Sequence, residues 1–292
     1  MKNKIYTLYQ RSSRRYFNSR FASTPVIHTG LRALARITVN PANRLLTGWL
    51  AFRKGLKFPA GSKHQLAMLL DDYEPDVVSL CRQYIQPGMV VIDAGAYAGY
   101  YTLLFSELVG PTGKVYAFEP HPENFDTLKH NSQQSRFKQN IVLLQNAVSD
   151  RVGTVQISAH KTDTAKTSLY SAEKNNISLT IETTTIDSFF VKYNLAKIDL
   201  IKLDIEGAEL AALDGMQNLI ASNNKLMVIV ECSPQILARS GSAPTTLINK
   251  INNLGFTVSA IGPRGELINP ETALAQARND DINLFCKKKQ NG

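Results

Sequence analysis

One stretch constrains this chain more than any other. An apolar run, Val90-Val91-Ile92, leads into Asp93-Ala94-Gly95-Ala96-Tyr97-Ala98-Gly99. About 20 residues on, a second apolar run, Val115-Tyr116-Ala117-Phe118, ends in Glu119-Pro120. The pattern predicts a buried parallel strand, a tight glycine turn, a helix, and a second strand ending in a carboxylate. A βαβ unit of this kind places a ligand at the carboxyl ends of its strands, with the second acid set to meet a ribose diol.

The same alternation of apolar runs and helical periods continues. Helices are expected over 71–84, 99–109, 122–134, 186–193, 207–222 and 244–253. Strands are expected over 89–94, 114–119, 141–145, 198–203, 226–231, 256–261 and 282–286. Two alternating segments, 154–158 and 178–183, break the rhythm and predict an antiparallel pair joined by a long polar loop, an inserted hairpin or flap. The stretches 232–243 and 262–281 read as loops or a hairpin.

Charge divides the chain. Residues 1–70 contain thirteen Lys/Arg and no Asp or Glu, leaving 20 basic against 24 acidic residues, a net of −4, for the rest. The overall +9 therefore describes an extension, and no nucleic-acid partner is expected for the main domain. Two domains follow: a basic extension over 1–57 and a globular domain over 58–292. The extension has three readings: a plain basic extension with partial helices, a segment lying on anionic membrane as a peripheral contact, or an organelle transit peptide. Cys81, Cys232 and Cys286 have no metal-ligand spacing, and so sparse a count suits a reducing, cytoplasmic setting. Oligomeric state is not readable.

The turn Asp93-x-Gly95-x-Tyr97-x-Gly99 is not the dinucleotide fingerprint, and alanine and tyrosine crowd the place a pyrophosphate would take. A nucleoside ligand without phosphates fits better, and S-adenosylmethionine is one. Gly95 would let the backbone approach it. Asp93 would attract its ammonium, Glu119 would accept from both ribose hydroxyls, and Asn146-Ala147 would face the adenine. A second acidic cluster, Asp199 to Glu209, follows the fourth strand. Within it Asp204 is the first candidate for the acid at the reaction and Glu206 the second, with Glu231 on the same rim. A metal site is not expected. Lys202, inside that strand, calls for a carboxylate partner.

Four ordered motifs resemble the FkbM family of S-adenosylmethionine-dependent methyltransferases. They are Asp-Ala-Gly-Ala-Tyr-Ala-Gly-Tyr-Tyr-Thr (93–102), Val-Tyr-Ala-Phe-Glu-Pro (115–120), Asn-Ala-Val-Ser-Asp (146–150) and Ile-Lys-Leu-Asp-Ile-Glu-Gly-Ala-Glu (201–209). The resemblance covers about residues 70–235. It implies an α/β, Rossmann-like class I methyltransferase fold: a mainly parallel seven-stranded sheet of order 3-2-1-4-5-7-6, its last strand antiparallel. It also implies O-methylation of a hydroxyl on a sugar, glycan or natural-product acceptor. Tyr73-Glu74-Pro75 resembles a family element too, and implies that Glu74 reaches the cofactor's amino group. The family usually carries Asn where this chain has Tyr97. The alternatives are a nicotinamide-dependent oxidoreductase on a related sheet and a non-catalytic cofactor-binding scaffold.

Overall fold

The computed structural model describes residues 47–51, 53–59, 64–160, 167–168, 176–278 and 280–289. The chain divides into two units, Met1–Ala51 and Phe52–Gly292. Of the first, only the helical residues 47–51 are described. The membrane-surface, transit-peptide and partial-helix readings of the extension fall almost wholly outside the described residues. The second unit begins before residue 57. His130 Nε2 donates to the Gly55 carbonyl at 3.0 Å, and Asn131 exchanges hydrogen bonds with both the N–H and the C=O of Lys57, each at 2.8 Å.

Two short helices lead in, α1 (Gln65–Leu69) and α2 (Pro75–Tyr84). Then follow β1 (Val90–Ala94), α3 (Tyr100–Val109), β2 (Lys114–Phe118), α4 (Pro122–Ser132) and β3 (Ile141–Leu144). A separate run contains β4 (Ala147–Val148), β5 (Gly153–His160), β6 (Thr167–Ser168) and β7 (Asn176–Thr184). The alternation resumes with α5 (Ile186–Lys192), β8 (Leu200–Leu203), α6 (Glu209–Asp214), α7 (Gln217–Ser222) and β9 (Met227–Cys232). It ends with α8 (Pro234–Arg239), α9 (Pro244–Asn253), β10 (Phe256–Ile261), β11 (Leu267–Ile268), α10 (Pro270–Ala277) and β12 (Ile282–Lys288).

The main sheet has eight strands in the order β11-β10-β12-β9-β8-β1-β2-β3. The five from β3 to β9 are parallel, while β12 is antiparallel to both β9 and β10. Without β11 this reads 3-2-1-4-5-7-6, a Rossmann-like class I methyltransferase sheet. The expected seven strands become eight because β10 turns back through Gly265, at φ +80°, and pairs with β11.

Strand alternation sorts the core into two layers. Val91, Val115, Leu200 and Ile229 pack under α2 and α3 with Leu80, Tyr101 and Phe105. Ile92, Tyr116, Ile201 and Val228 pack on the opposite side with Phe189, Leu213 and Leu219. These strands are covered on both faces, which is why they read as nearly continuous apolar runs.

Three expectations are corrected. The single helix over 207–222 is two, broken at Gly215-Met216, where Asp187 N donates to the Gly215 carbonyl at 3.0 Å and the Asp187 carboxylate accepts from Asn218 N at 3.0 Å and Leu219 N at 2.8 Å, capping the second helix. The 232–243 loop holds α8, capped by Ser233, whose Oγ accepts from Ile236 N at 3.4 Å. The 262–281 stretch holds α10, capped by Asn269, whose Oδ1 accepts from Thr272 N at 3.0 Å. Both caps precede a proline in the first turn, a readable helix start.

The inserted hairpin is a four-stranded sheet of its own, β4-β7-β5-β6. Its centre is the antiparallel β5–β7 pair, and β4 runs parallel to β7.

Candidate functional site

A cavity opens at the carboxyl edge of the main sheet, lined by residues leaving β3, β2, β1 and β8. Neighbouring strands lie about 4.8 Å apart, so the three steps from β3 to β8 span roughly 14 Å. Asn146 and Ala147 line it beyond β3, Glu119 at β2, Asp93, Gly95 and Tyr97 at β1, and Asp204 and Glu206 at β8. These eight sequence candidates share one cavity. The remaining two do not line it. Gly99 sits at the N-cap of α3 with φ +91°, where a Cβ would meet Leu128 Cδ1 at 2.8 Å. Glu74 precedes α2, its carboxylate taken by the Tyr101 hydroxyl at 2.5 Å and, more loosely, by Asn283 at 3.5 Å.

The β1 turn is built by close approach. Gly95 has φ +86°, and a Cβ there would lie 1.7 Å from the backbone carbonyl oxygen of Asp204. Glycine is thus required for the two strand ends to touch, and Gly95 also lines the cavity. Gly95 N and Ala96 N both donate to the Phe118 carbonyl, at 2.9 and 3.0 Å. Tyr97 then takes a left-handed backbone, φ +50°, which aims its N–H at Glu119 Oε2, 2.8 Å away. Asn enters that region more readily than Tyr.

Glu119 is 4% exposed. Its Oε1 accepts from His121 N at 2.9 Å and Asn124 Nδ2 at 3.3 Å, while Oε2 has the single bond from Tyr97 N. Burial pushes its carboxyl up to about 7, against the opposing pull of these N–H groups. Oε2 keeps acceptor capacity facing the cavity.

The β1–β8 end is charged, with Asp93 and Lys202 buried and Asp204 partly exposed. Asp93 and Lys202 are register partners on adjacent strands, so their side chains leave the same face of the sheet. Asp93 is 1% exposed and accepts from Thr102 Oγ1 at 2.6 Å; burial raises its carboxyl, and Lys202 and Thr102 oppose that. The Lys202 ammonium donates to Asp204 Oδ2 at 2.6 Å and lies 4.4 Å from the Tyr101 ring centroid. Burial favours its neutral form, but Asp204, Glu74 and Asp93 outweigh that and hold it charged. Asp204 therefore has the carboxylate partner's role that Lys202 demanded. Glu206 lines the cavity from a left-handed backbone, φ +53°. The third acid of the motif, Glu209, is spent on the turn: its Oε1 accepts from Ile205 N at 3.1 Å and Gly207 N at 3.2 Å. Glu231, on β9, is driven well up by burial and then by Asp204 and Glu206.

Sequence reasoning missed several lining residues. Tyr73 stands edge-on to Tyr100 at 5.4 Å and tilted against Tyr101 at 6.3 Å, forming an aromatic wall beside the acids. The Tyr-Tyr pair at 100–101 was visible, but a helical face alone does not say which tyrosine meets a cavity. Val155 and Ile157 of β5 also line it. Their alternation marked a strand, without indicating where that strand would dock. Among the described residues no group of three or more His, Cys, Asp or Glu is arranged to hold a metal ion.

Residues 93–258, more than half of the chain, match the family model described as Methyltransferase FkbM domain. The chain belongs to the FkbM methyltransferase family. It is 31% identical over 158 residues to the hexuronic acid methyltransferase AglP of Haloferax volcanii, covering 54% of this chain and 62% of that protein. It is 29% identical over 163 residues to the 31-O-demethyl-FK506 methyltransferase FkbM of Streptomyces tacrolimicus, covering 46% and 62%. The match thus spans about six-tenths of each relative's length. Among solved structures, the methyltransferase FkbM from Methylobacillus flagellatus superposes with a TM-score of 0.46 at 16% identity, over 87% of this chain and 60% of that one. The FkbM match begins at Asp93, so α1, α2, Tyr73 and Glu74 lie before it. Among the described residues no helix is long and apolar enough to cross a membrane.

Proposed function

We propose that this FkbM-family protein is an S-adenosylmethionine-dependent methyltransferase acting on a hydroxyl of a sugar, glycan or natural-product acceptor. One observation carries the reading: the cavity changes polarity along its length. Toward β2 and β3 its lining is uncharged, Phe118, Val148, Val155 and Ile157 with the polar Asn146 and Thr183; midway stands Glu119; at β1 and β8 stand the acids Asp93, Asp204 and Glu206 beside Tyr73 and Tyr101. Such a gradient fits a ligand with a flat apolar head, a diol and a cationic tail. S-adenosylmethionine supplies, when bound, a methyl group on a positively charged sulfonium.

The chain's own groups then have distinct tasks. The free capacity of Glu119 Oε2 suits a ribose hydroxyl, and Tyr97 N, His121 N and Asn124 hold that carboxylate in place. Asp204 is oriented by the Lys202 ammonium, so its carboxylate is held in place at the cationic end. Asp204 is the first candidate to take a proton from an acceptor hydroxyl, and Glu206, lining the same cavity, is the second. Asp93 acts by orienting the β1 turn through Thr102. The acceptor class rests on the relatives' names, one for a hexuronic acid and one for a 31-O-demethyl compound. We keep the proposal of a separable basic extension, with its end moved to residue 51 to follow the compact unit.

Calorimetry tests the cofactor. The full chain should bind S-adenosylhomocysteine saturably and NAD at least about a hundredfold more weakly. A preference for NAD would replace this reading with a nicotinamide oxidoreductase.

A further inference from the structure

We propose that the inserted sheet is part of the cofactor-binding surface, with Val155 and Ile157 forming the wall against the adenine ring. This rests on the cofactor reading above and goes further: it gives the purine end to the insertion that the sequence pattern predicted as a hairpin or flap.

The sheet has two unlike faces. Along β5, Thr154 and Gln156 point one way, Val155 and Ile157 the other. The outward face is a polar ladder: Gln156 Nε2 donates to Thr180 Oγ1 at 2.6 Å, and Ser178 Oγ donates to Gln156 Oε1 at 2.8 Å. The inward face is apolar, with Val155 in register with Ile181 and Ile157 with Leu179. Half-buried sheets turn one such face to a core. Here Val155, Ile157 and Thr183 line the cavity, which Phe118 of β2 lines as well. Phe118, Val155 and Ile157 give this end of the cavity apolar side chains beside the polar Asn146 and Thr183, the mixed environment a planar heteroaromatic ring takes.

The backbone ties this wall to the main sheet. The chain leaving β3 passes through Asn146 and at once pairs with the insertion, Ala147 with Thr183 and Val148 with Thr184. Ser149 N then donates to the Thr184 carbonyl at 2.9 Å. The residues placed to meet the ring's polar edge and those placed to meet its face are held by one hydrogen-bonded ladder.

The test is titration of the full chain with S-adenosylhomocysteine and with 5′-methylthioadenosine, which keeps the adenosine and lacks the amino-acid tail. Replacing both side chains, Val155→Ala with Ile157→Ala, should weaken both ligands by about tenfold or more, and by similar factors. Gln156→Ala, on the outer face of the same strand, should stay within about twofold of wild type. If the double variant does not fold, judged by its thermal melt, Val155→Thr keeps the shape and should still weaken both ligands about threefold. The proposal is overturned if wild type binds S-adenosylhomocysteine and the folded variants bind it equally well. It is also overturned if they lose that ligand but keep methylthioadenosine, since the two side chains would then face the tail. If wild type binds neither ligand, the cofactor reading itself fails, and this proposal with it.

Discussion

The two ends of the cavity are made by different means. At the β1–β8 end, parallel strands buried on both faces bring Asp93, Lys202 and Asp204 together, and the fit is so close that Gly95 rests against the Asp204 carbonyl. At the β3 end, a small antiparallel sheet with one solvated face leans apolar side chains over the cavity and is joined through the two-residue strand β4. The contrast follows from what each end holds. Buried charge is tolerated only where geometry is fixed and partners are complete, whereas an apolar wall needs only shape and dryness. The charged end should therefore be brittle and the apolar end forgiving.

The largest expected effect is at Gly95. Gly95→Ala must move either the turn or β8, and it also places a side chain at a positive φ. It should yield no cooperatively folded protein, or one destabilised by more than about 4 kcal/mol in urea unfolding. A Tm within a few degrees of wild type would break the claim that the two strands are locked.

Next is the ion pair. Lys202→Met leaves Asp204, Glu74 and Asp93 without their buried cation, and removing one partner of a buried pair costs about 3–5 kcal/mol. The loss should be larger at pH 8 than at pH 5, because burial raises the Asp93 and Glu74 carboxyls and makes them easier to protonate at the lower value. Urea unfolding at both values decides it, and an equal loss at both would show that the lysine stem, not its charge, matters.

A third effect separates the middle of the cavity from both ends. Glu119 is raised from 4.5 to about 7, so the folded protein holds a proton that the unfolded chain has released. That contribution to stability is present below pH 4.5 and is lost as pH rises through about 7. Ligand affinity should move the opposite way if the ionised carboxylate accepts from ribose. S-adenosylhomocysteine should bind several-fold more tightly at pH 8 than at pH 6. Glu119→Gln should flatten that slope and weaken binding by roughly tenfold at pH 8. An unchanged slope in the variant would move the titration to another acid.

The smallest effect lies on the forgiving side. Glu182, on the outer face of the insertion, meets Asn146 Nδ2 only at 3.4 Å and is exposed. Glu182→Ala should change stability by no more than about 0.5 kcal/mol, with ligand affinity within twofold. A larger loss would show that the insertion is as tightly specified as the charged end.

How much was legible follows the same division. Asp93, Glu119 and Asp204 stand where their strands' apolar runs stop, and such a stop is visible in one dimension. Gly99 and Glu74 belong to the motifs and were drawn into the site by them, yet one caps a helix and the other is held by Tyr101. Motif membership does not separate a residue that faces the cavity from one that shapes the turn behind it. The helices α8 and α10 were readable from Ser233-Pro234 and Asn269-Pro270, but both are short and weakly periodic, so the apolar pattern did not reveal them.

By itself, the sequence determined the βα alternation, the ends of the parallel strands, the acids at those ends and the family. These depend on local hydropathy, on turn chemistry and on residues within about 20 positions of each other. Only the tertiary structure decided which charge met which. Lys202 lies beside Asp93 because strands 109 residues apart in sequence pair in one register. Gly95 is indispensable because a carbonyl from β8 occupies the space its side chain would take. The insertion's inner face lines the cavity because β4 carries the chain from one sheet into the other. Each of these is a long-range pairing, fixed by the summed packing of two layers, which no local pattern encodes.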